Sequence, residues 1–378
     1  MTSPVASSLS AKVLDALGSV LGPGPVALHE PEFSGNEWNY LQECLDSTFV
    51  SSVGKFVDRL ETELAGYTGA GYAVAMMNGT AALHIALMLA GVRPGDEVLV
   101  PALTFIATAN AVAYCGAFPH FVDSEPRTFG VDARKLRGYL EARTELRGGV
   151  CVNVATDRPI RALVPVHTLG HPVEIDEIEA VAADFGLVLV EDAAESLGSF
   201  YKGRHTGTFG RLGILSFNGN KSVTCGGGGA VLTDDAELAK RAKHLSTTAK
   251  LAHPWRYRHD ETGYNYRMPN LNAALGCAQL ERLPALRASK RALFHRYKQA
   301  FAGVGGVEVA AEPPGCESNY WLQTLLLGPE HAGCRDEILE NTNRAGYMTR
   351  PVWDLLNLSA PYRRCPAMDL SCAENLAR

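Results

Sequence analysis

The 378-residue sequence lacks an excess of charge of either sign, paired cysteines and internal repeats. Its 35 Lys and Arg against 41 Asp and Glu give a formal charge of −6, so nucleic acid is not an expected partner. The 9 cysteines lie far apart and form no CxxC pair. This pattern indicates reduced thiols in a cytoplasm rather than a disulfide frame or a zinc site.

Long apolar runs are also missing. The N-terminal stretch Met1–Leu21 contains Lys12 and Asp15 and does not read as a signal peptide. The most apolar stretch, Ala81–Val92, is shorter than the roughly 20 residues that a membrane-spanning helix requires. With 46% hydrophobic and 20% charged residues the composition is that of a globular protein. We therefore expect a folded, cytoplasmic protein that does not span a membrane.

Short apolar runs bounded by Gly, Pro or Asp alternate with segments of helical period. The predicted strands are Glu97–Pro101, Phe118–Asp123, Arg161–His167, Leu187–Asp192, Leu212–Phe217 and Gly229–Thr233. The predicted helices among them are Thr80–Ala90, Thr108–Cys115, Glu174–Phe185 and Asp235–His244. The alternation predicts an α/β domain with a largely parallel sheet, whose functional groups collect at the carboxyl ends of the strands.

After about residue 245 the pattern changes to longer helices, predicted over Asn270–Leu283 and Pro284–Phe301. A strand-like segment, Tyr320–Leu327, and a helix near Arg335–Ala345 follow. We therefore predict a large domain with an N-terminal segment over residues 1–245. Residues 246–378 are predicted to form a long connecting helix and a small C-terminal domain.

Two local patterns indicate where a phosphorylated cofactor could bind. Gly79 and Thr80 open a predicted helix, and the free amides of a helix N-terminus attract phosphate. A plain Thr-capped helix start is the alternative. Asp192 ends an apolar strand, where its carboxylate could keep a heteroaromatic nitrogen protonated, as pyridoxal chemistry requires. A helix-capping Asp is the alternative there.

A third pattern is a lysine in a polar loop. Lys221 follows the strand that ends near Ser216 and precedes four glycines. A lysine held beside an apolar cofactor can lose its proton and form a Schiff base with an aldehyde, although most loop lysines are merely solvated. A candidate phosphate-binding helix start, an acid and a lysine thus follow one another along one α/β domain. This order favours a catalytic role for Lys221 over a solvated loop lysine.

Five segments together resemble the DegT/DnrJ/EryC1/StrS sugar aminotransferases, which are pyridoxal phosphate (PLP) enzymes. The segments are Asn78–Leu83, Asp96–Phe105, Glu191–Ala194, Ser216–Lys221 and Gly263–Met268. The resemblance runs from about His29 to Arg364 and is greatest to the LegC branch. It implies an α/β protein of PLP-dependent transferase fold type I. Such a protein has a large domain with a mixed, mostly parallel seven-stranded sheet, plus a smaller C-terminal α/β domain.

The resemblance implies the catalytic roles. Lys221 would bind the cofactor aldehyde covalently and, once released, shuttle protons between substrate and cofactor. Asp192 would pair with the pyridinium nitrogen. Phe105 would stack on the ring face, where core packing is the alternative. Glu195 would lie near the ring hydroxyl.

The resemblance also implies how the cofactor phosphate is held and how the chain assembles. Gly79, Thr80 and Ser216 would bind the phosphate. Asn265 would reach the phosphate of the neighbouring subunit's cofactor, so a homodimer with shared active sites is expected; a turn residue is the alternative.

Candidate contacts for the substrate are less specific. Ser52, Lys55, Arg350 and Trp353 are candidates for binding a nucleotide sugar, and the forked donors of Arg350 suit a pyrophosphate. His167, which follows a predicted strand, is a further candidate. His167 and His171 have no acidic third ligand nearby in the sequence, so we expect no metal site.

The expected function is a PLP-dependent aminotransferase that cycles between PLP and its amino form, PMP. It would move an amino group from L-glutamate to a keto carbon, C4, of a nucleotide-linked 4-keto-6-deoxyhexose. The alternatives are an aminotransferase for a C3 keto sugar or an inosose, and a PLP-binding regulator without turnover. A dehydratase of the same fold is less favoured, because those relatives have histidine where Lys221 stands.

Overall fold

The computed structural model describes residues 8–378. Of the stretch Met1–Leu21, residues 1–7 lie outside the described residues, and the remainder forms helix α1 (Leu9–Leu21). Two more helices precede the sheet, α2 (Glu37–Ser47) and α3 (Lys55–Thr68). None of these three helices was predicted, although α1 and α3 carry their buried apolar residues at helical spacing.

The central α/β part follows the predicted alternation. In chain order its first elements are β1 (Tyr72–Met76), α4 (Gly79–Leu89), β2 (Glu97–Pro101), α5 (Ala107–Tyr114), β3 (Phe118–Val122), α6 (Ala133–Arg143), β4 (Thr144–Arg147), β5 (Val150–Asn153) and β6 (Arg158–Leu163). They are followed by α7 (Ile175–Asp184), β7 (Val188–Asp192), β8 (Phe200–Tyr201), β9 (Arg204–His205), β10 (Leu212–Ser216), β11 (Gly229–Thr233) and α8 (Ala236–Ser246).

The C-terminal elements are α9 (Asn270–Phe301), β12 (Val307–Val309), β13 (Cys316–Glu317), β14 (Leu325–Leu327), α10 (Arg335–Arg344) and α11 (Ser371–Ala377). Two of the predictions made for this region are wrong. The two predicted helices form one, α9, which continues through Pro284. Of the predicted strand Tyr320–Leu327, only β14 pairs, with β12.

Seven strands form the main path of the large sheet, in the order β1-β11-β10-β7-β6-β2-β3. The hairpin β4–β5 attaches to β6 and brings the sheet to nine strands. β11 is antiparallel to both of its neighbours, whereas β10, β7, β6, β2 and β3 are parallel. The predicted mixed, mostly parallel seven-stranded sheet is thus confirmed as the main path.

Burial explains why these strands read as continuous apolar runs. Every residue of β2, β10 and β11 is buried, as expected for strands covered by helices on both faces. The predicted strand Arg161–His167 begins earlier, at Arg158, and its regular pairing ends at Leu163, after which Val166 pairs with Asp192 in an isolated bridge. Pro165 lies in the predicted run and cannot donate a ladder hydrogen bond.

The strand directions decide where the functional side chains meet. Because β1 and β10 are both antiparallel to β11, they run parallel to each other and to β7, β6 and β2. Their carboxyl ends therefore share one edge of the sheet. Gly79, Asp192 and Ser216 lie at that edge, as the α/β pattern predicts.

The packing of the two ends of the described chain was not predicted from local pattern. Helix α1 places Val13, Leu17 and Val20 in an apolar cluster with the second half of α9 and with α10, so it lies with the C-terminal elements. The segment 366–378 packs on β3, and Asp123 accepts hydrogen bonds from the backbone of Cys372 and Ala373. A division of the chain near residue 245 stays a prediction.

Between residues 8 and 378, no helix combines the length and the apolar character that crossing a bilayer demands.

Candidate active site

Asp192 is the last residue of β7 and is only 6% exposed. Its carboxylate accepts hydrogen bonds from the Thr108 hydroxyl at 2.9 Å and from the Ala194 amide at 3.2 Å. Burial raises the pKa of Asp192, and these two hydrogen bonds together with the nearby charge of Lys221 oppose that rise. A buried carboxylate of this kind suits a cationic partner, such as a protonated ring nitrogen.

Lys221 lies in the loop after β10, with its side chain 13% exposed. The ammonium Nζ lies 3.4 Å from Oε1 of Glu195 and 3.8 Å from the centre of the Trp321 ring. Oε2 of Glu195 accepts a hydrogen bond from the Leu169 amide at 2.8 Å, and burial raises the pKa of Glu195. The amine is therefore held between a carboxylate and an aromatic face.

The loop around Lys221 is fixed from the C-terminal part of the chain. The indole N–H of Trp321 donates to the carbonyl of Asn220 at 2.6 Å. Trp321 is 3% exposed, and its amide donates to Oδ1 of Asn319. Trp321 is a site residue that the sequence reasoning missed, because it lies in a segment predicted to be a strand.

The residues of the predicted phosphate-binding site lie at the start of α4 and at the end of β10. The Asn78 side chain accepts a hydrogen bond from the Ala81 amide, which leaves the first amides of the helix directed at the sheet edge. A Cβ atom on Gly79 would lie 2.8 Å from Cβ of Ser216, so only glycine allows the helix start and the end of β10 to approach this closely. Thr80 is half-buried beside them.

Phe105 and Asn265 lie at the surface of this edge. Phe105 lies in the loop between β2 and α5 and is 52% exposed. It is therefore not buried in the core of a single chain. Its carbonyl accepts a hydrogen bond from the Thr108 amide, which places the loop beside Asp192. Asn265 is exposed and pairs with Thr247 in an isolated bridge.

The segment that contains Asn265 is fixed to the end of β1. The amide of Met77 donates to the carbonyl of Tyr266, and Arg267 forms a largely buried ion pair with Glu61 at 2.7 Å. The Arg267 guanidinium also donates to the carbonyl of Ala75. An exposed Asn on a firmly held segment is suited to contact a second molecule.

The structure separates the predicted substrate residues. Trp353 packs against the cluster that contains Trp321 and Leu169, and so reaches the surroundings of Lys221. The Lys55 ammonium pairs with Glu43, and Arg350 donates to Asn343 and to the carbonyl of Thr349. Within residues 8–378, no hydrogen bond or ion pair joins Lys55, Arg350 or the half-buried Ser52 to Lys221 or Asp192.

His167 does not lie where a substrate could reach it. Its side chain is fully buried, its Nε2 donates to Glu191 at 3.0 Å, and its Nδ1 accepts from the Val173 amide. The Glu191 carboxylate also accepts hydrogen bonds from the backbone amides of Gly207 and Gly210. Both ring nitrogens of His167 are therefore used inside the protein, and its position supports a structural role instead of substrate contact.

One cluster of possible metal ligands occurs among the described residues, formed by His244, Asp260 and Glu261, with donor atoms within 4.8 Å of one another. Arg241 already forms an ion pair with Glu261, and Nε2 of His244 donates to the Asp260 carboxylate at 2.7 Å. These contacts tie α8 to the segment before Asn265. The expectation of a protein without a metal site stays a prediction.

The geometry fits PLP. An amine at Lys221, a buried carboxylate at Asp192 and a helix start whose close approach to Ser216 requires glycine lie at one sheet edge. They match the three parts of the cofactor, which are an aldehyde, a ring nitrogen and a phosphate. The half-exposed Phe105 ring at the same edge provides an apolar cover.

Comparisons with known proteins agree with this geometry. Residues 31–378 match the DegT/DnrJ/EryC1/StrS aminotransferase family. The GDP-perosamine synthase of Caulobacter vibrioides is 37% identical over 350 residues, which cover 92% of this chain and 90% of that relative. The GDP-perosamine synthase of Escherichia coli O157:H7 is 37% identical over 328 residues, with 87% and 84% covered.

Solved structures of similar proteins share the fold. The aminotransferase TlmJ from Streptoalloteichus hindustanus has a TM-score of 0.82 at 28% identity, with 94% of this chain and 91% of that chain covered. DesV from S. venezuelae, solved in complex with a ketimine intermediate, has a TM-score of 0.80 at 30% identity, with 91% and 87% covered.

The fold is therefore that of the PLP-dependent transferases of fold type I, and PLP is the cofactor. The protein is a PLP-dependent sugar aminotransferase. The chain belongs to the DegT/DnrJ/EryC1/StrS aminotransferase family.

Proposed function

We propose that the enzyme transfers an amino group from L-glutamate to the C4 keto carbon of a nucleotide-linked 4-keto-6-deoxyhexose. The observation that supports the transfer chemistry most directly is the amine of Lys221, held 3.4 Å from Glu195 at the edge where Asp192 is buried. The relatives named GDP-perosamine synthase support a GDP-linked sugar as the acceptor. The 9 free cysteines support the cytoplasm as the compartment.

When PLP is bound, its ring supplies an electron sink for the negative charge that develops on the carbon next to the transferred nitrogen. Asp192 would hold the proton on the ring nitrogen, and the Thr108 hydroxyl orients the Asp192 carboxylate. Ser216 and the first amides of α4, at Gly79 and Thr80, would bind the phosphate. Phe105 would cover one face and exclude water.

In the resting enzyme Lys221 would be attached to the aldehyde carbon of the cofactor. During turnover it would act as the base and the acid. Its amine must accept a proton from the carbon next to the transferred nitrogen and return it elsewhere. Glu195 and the Trp321 ring lie within reach of Nζ and would orient the amine when it is released from the cofactor. While Lys221 is attached to the cofactor, Glu195 would lie beside the ring hydroxyl.

Product analysis by mass spectrometry tests the proposed reaction. The enzyme with its cofactor is incubated with L-glutamate and, in parallel, with GDP-, UDP- and dTDP-linked 4-keto-6-deoxyhexoses, a 3-keto sugar nucleotide and an inosose. We expect the 4-keto-6-deoxyhexose to be aminated, most rapidly as its GDP derivative, and Lys221→Ala to form no product. Amination of only the inosose or the 3-keto sugar would favour the alternative substrates, and no product from any acceptor would favour a regulator.

The Asp192→Asn variant separates cofactor binding from stability. We expect PLP to bind this variant at least about 100-fold more weakly, because the amide cannot neutralise a protonated ring nitrogen. The protein without cofactor is expected to melt at the same temperature as the wild type or higher at neutral pH. The side-chain amide of the variant can still accept a hydrogen bond from the Ala194 backbone N–H and donate one to the Thr108 hydroxyl.

The pH dependence follows from the sign of the pKa shift. Burial raises the pKa of Asp192, so the ionised carboxylate lowers the stability of the folded protein at pH values above its unfolded pKa. Any gain from Asp192→Asn should therefore disappear as the pH falls below the unfolded pKa of Asp, where the carboxyl is neutral in both states. Cofactor affinity equal to that of the wild type would contradict the assigned role. Differential scanning calorimetry and a PLP titration provide the two readouts.

A subunit-mixing experiment tests the proposed shared site. Lys221→Ala and Asn265→Ala homodimers are each expected to have little activity. In a mixed dimer one site contains both substitutions and the other contains neither. After unfolding and joint refolding at equal amounts, half of the dimers are mixed, so about a quarter of the wild-type activity should return.

The control refolds each variant alone, which should restore no activity. A monomer in light scattering, a fully active Asn265→Ala variant, or no recovery on mixing while wild-type protein refolds well would each contradict a site shared between subunits.

A further inference from the structure

A cavity of about 170 Å³ lies behind the loop that contains Lys221. Four parts of the chain surround it: the N-terminal arm at 29–32, the middle of α9, Ser222 from the Lys221 loop, and Asn319. Leu283, Arg287 and Lys290 of α9 line it at helical spacing. The roles proposed for the cofactor and the sugar use none of these residues.

Lys290 is a half-buried cation at the wall of this cavity. Its Nζ lies 3.0 Å from Nδ1 of His29 and donates to the carbonyl of Trp321 at 3.1 Å. Burial lowers the pKa of Lys290 to about 8, and burial together with the charge of Lys290 lowers the pKa of His29 to about 4. The neutral His29 ring accepts a hydrogen bond from the ammonium and contributes no compensating negative charge.

No ion pair within residues 8–378 includes Lys290, although buried cations are usually paired with a carboxylate. Glu32 also lines the cavity, but its carboxylate pairs with Arg282, and Glu30 is exposed. Each of these carboxylates is thus either paired or solvated. The charge of Lys290 therefore has no counter-ion at the cavity from the described part of the chain.

Two further donors of the cavity wall have no partner in the described part of the chain. The Ser222 hydroxyl and Nε of Arg287 are both buried and unpaired. A buried donor that makes no hydrogen bond costs about 1–3 kcal/mol. The ammonium and these two unused donors belong to side chains that line one small cavity, and such donors are complementary to the oxygen atoms of an anion.

We propose that this cavity binds a small oxyanion, with Lys290, Ser222 and Arg287 as its hydrogen-bond donors. Carboxylate and phosphate share the required chemistry. In the proposed reaction the carboxylate would come from the amino donor and the phosphate from the nucleotide, so the source of the anion rests on the proposed function. The proposal that the cavity binds an anion does not depend on the proposed function. Trp321 joins the cavity to the cofactor lysine, because its carbonyl accepts from Lys290 and its ring lies over Lys221.

Isothermal titration calorimetry of the enzyme with its cofactor tests this proposal without requiring turnover. Bound PLP fills the phosphate-binding site at α4, so that site cannot account for the signal. The probes are glutarate, which has two carboxylates and no amine to react with PLP, and inorganic phosphate. The key variant is Lys290→Met, and the matched control is Lys298→Met, an exposed lysine of the same helix.

We expect at least one probe to bind the wild type and Lys298→Met equally, and to bind Lys290→Met at least about tenfold more weakly. Lys290→Arg should retain binding within about threefold, because it keeps the charge. Should Lys290→Met fail to fold, Ser222→Ala, which keeps the charge as well, is expected to weaken binding about fivefold.

Tighter binding of glutarate would identify the amino donor as the source of the anion, and tighter binding of phosphate that GDP displaces would identify the nucleotide. The proposal is overturned if neither probe binds the wild type at about 10 mM, or if Lys290→Met binds as the wild type does. A calorimetric signal in a protein that aminates no sugar would contradict the proposed function and leave the anion site standing.

Discussion

The buried carboxylate of Asp192 is the constraint around which the site is organised. Removing a carboxylate from water is unfavourable, and the Thr108 and Ala194 hydrogen bonds offset only part of that cost, since burial still raises the pKa of Asp192. In the proposed site, a protonated pyridine ring would supply the missing opposite charge. The protein therefore tolerates an unfavourable group at the carboxyl edge of its sheet, and cofactor binding there would recover the free energy.

The strand order places the other groups around that carboxylate. β7 lies beside β10, so Asp192 and Ser216 are the last residues of two neighbouring parallel strands. β11 separates β10 from β1, yet the start of α4 still reaches Ser216. A Cβ on Gly229 would lie 2.6 Å from the backbone of Asn78, so glycine at the start of β11 allows this approach. Gly229, the last glycine of the run after Lys221, thus has a steric function at the predicted phosphate-binding site.

The sequence predicted the part of the site that depends on local pattern. Asp192 ends an apolar run, and Gly79 and Ser216 stand at a helix start and a strand end, so their positions follow from the parallel sheet. Trp321 could not be found in this way, because its contact with Lys221 joins residues 100 positions apart in the chain. For the same reason the burial of His167 and the packing of α1 on α9 were not foreseeable. These features depend on long-range packing, which no local pattern records.

The covalent attachment of PLP to Lys221 is the central claim, and peptide mapping after borohydride reduction tests it most directly. Reduction of the enzyme with its cofactor fixes the cofactor on the lysine that holds it, and mass spectrometry of the proteolysed protein identifies that lysine. The account predicts the modification on the peptide that contains Lys221 and, in the wild-type protein, on no other. Modification of Lys290, of Lys55 or of no lysine at all would contradict it.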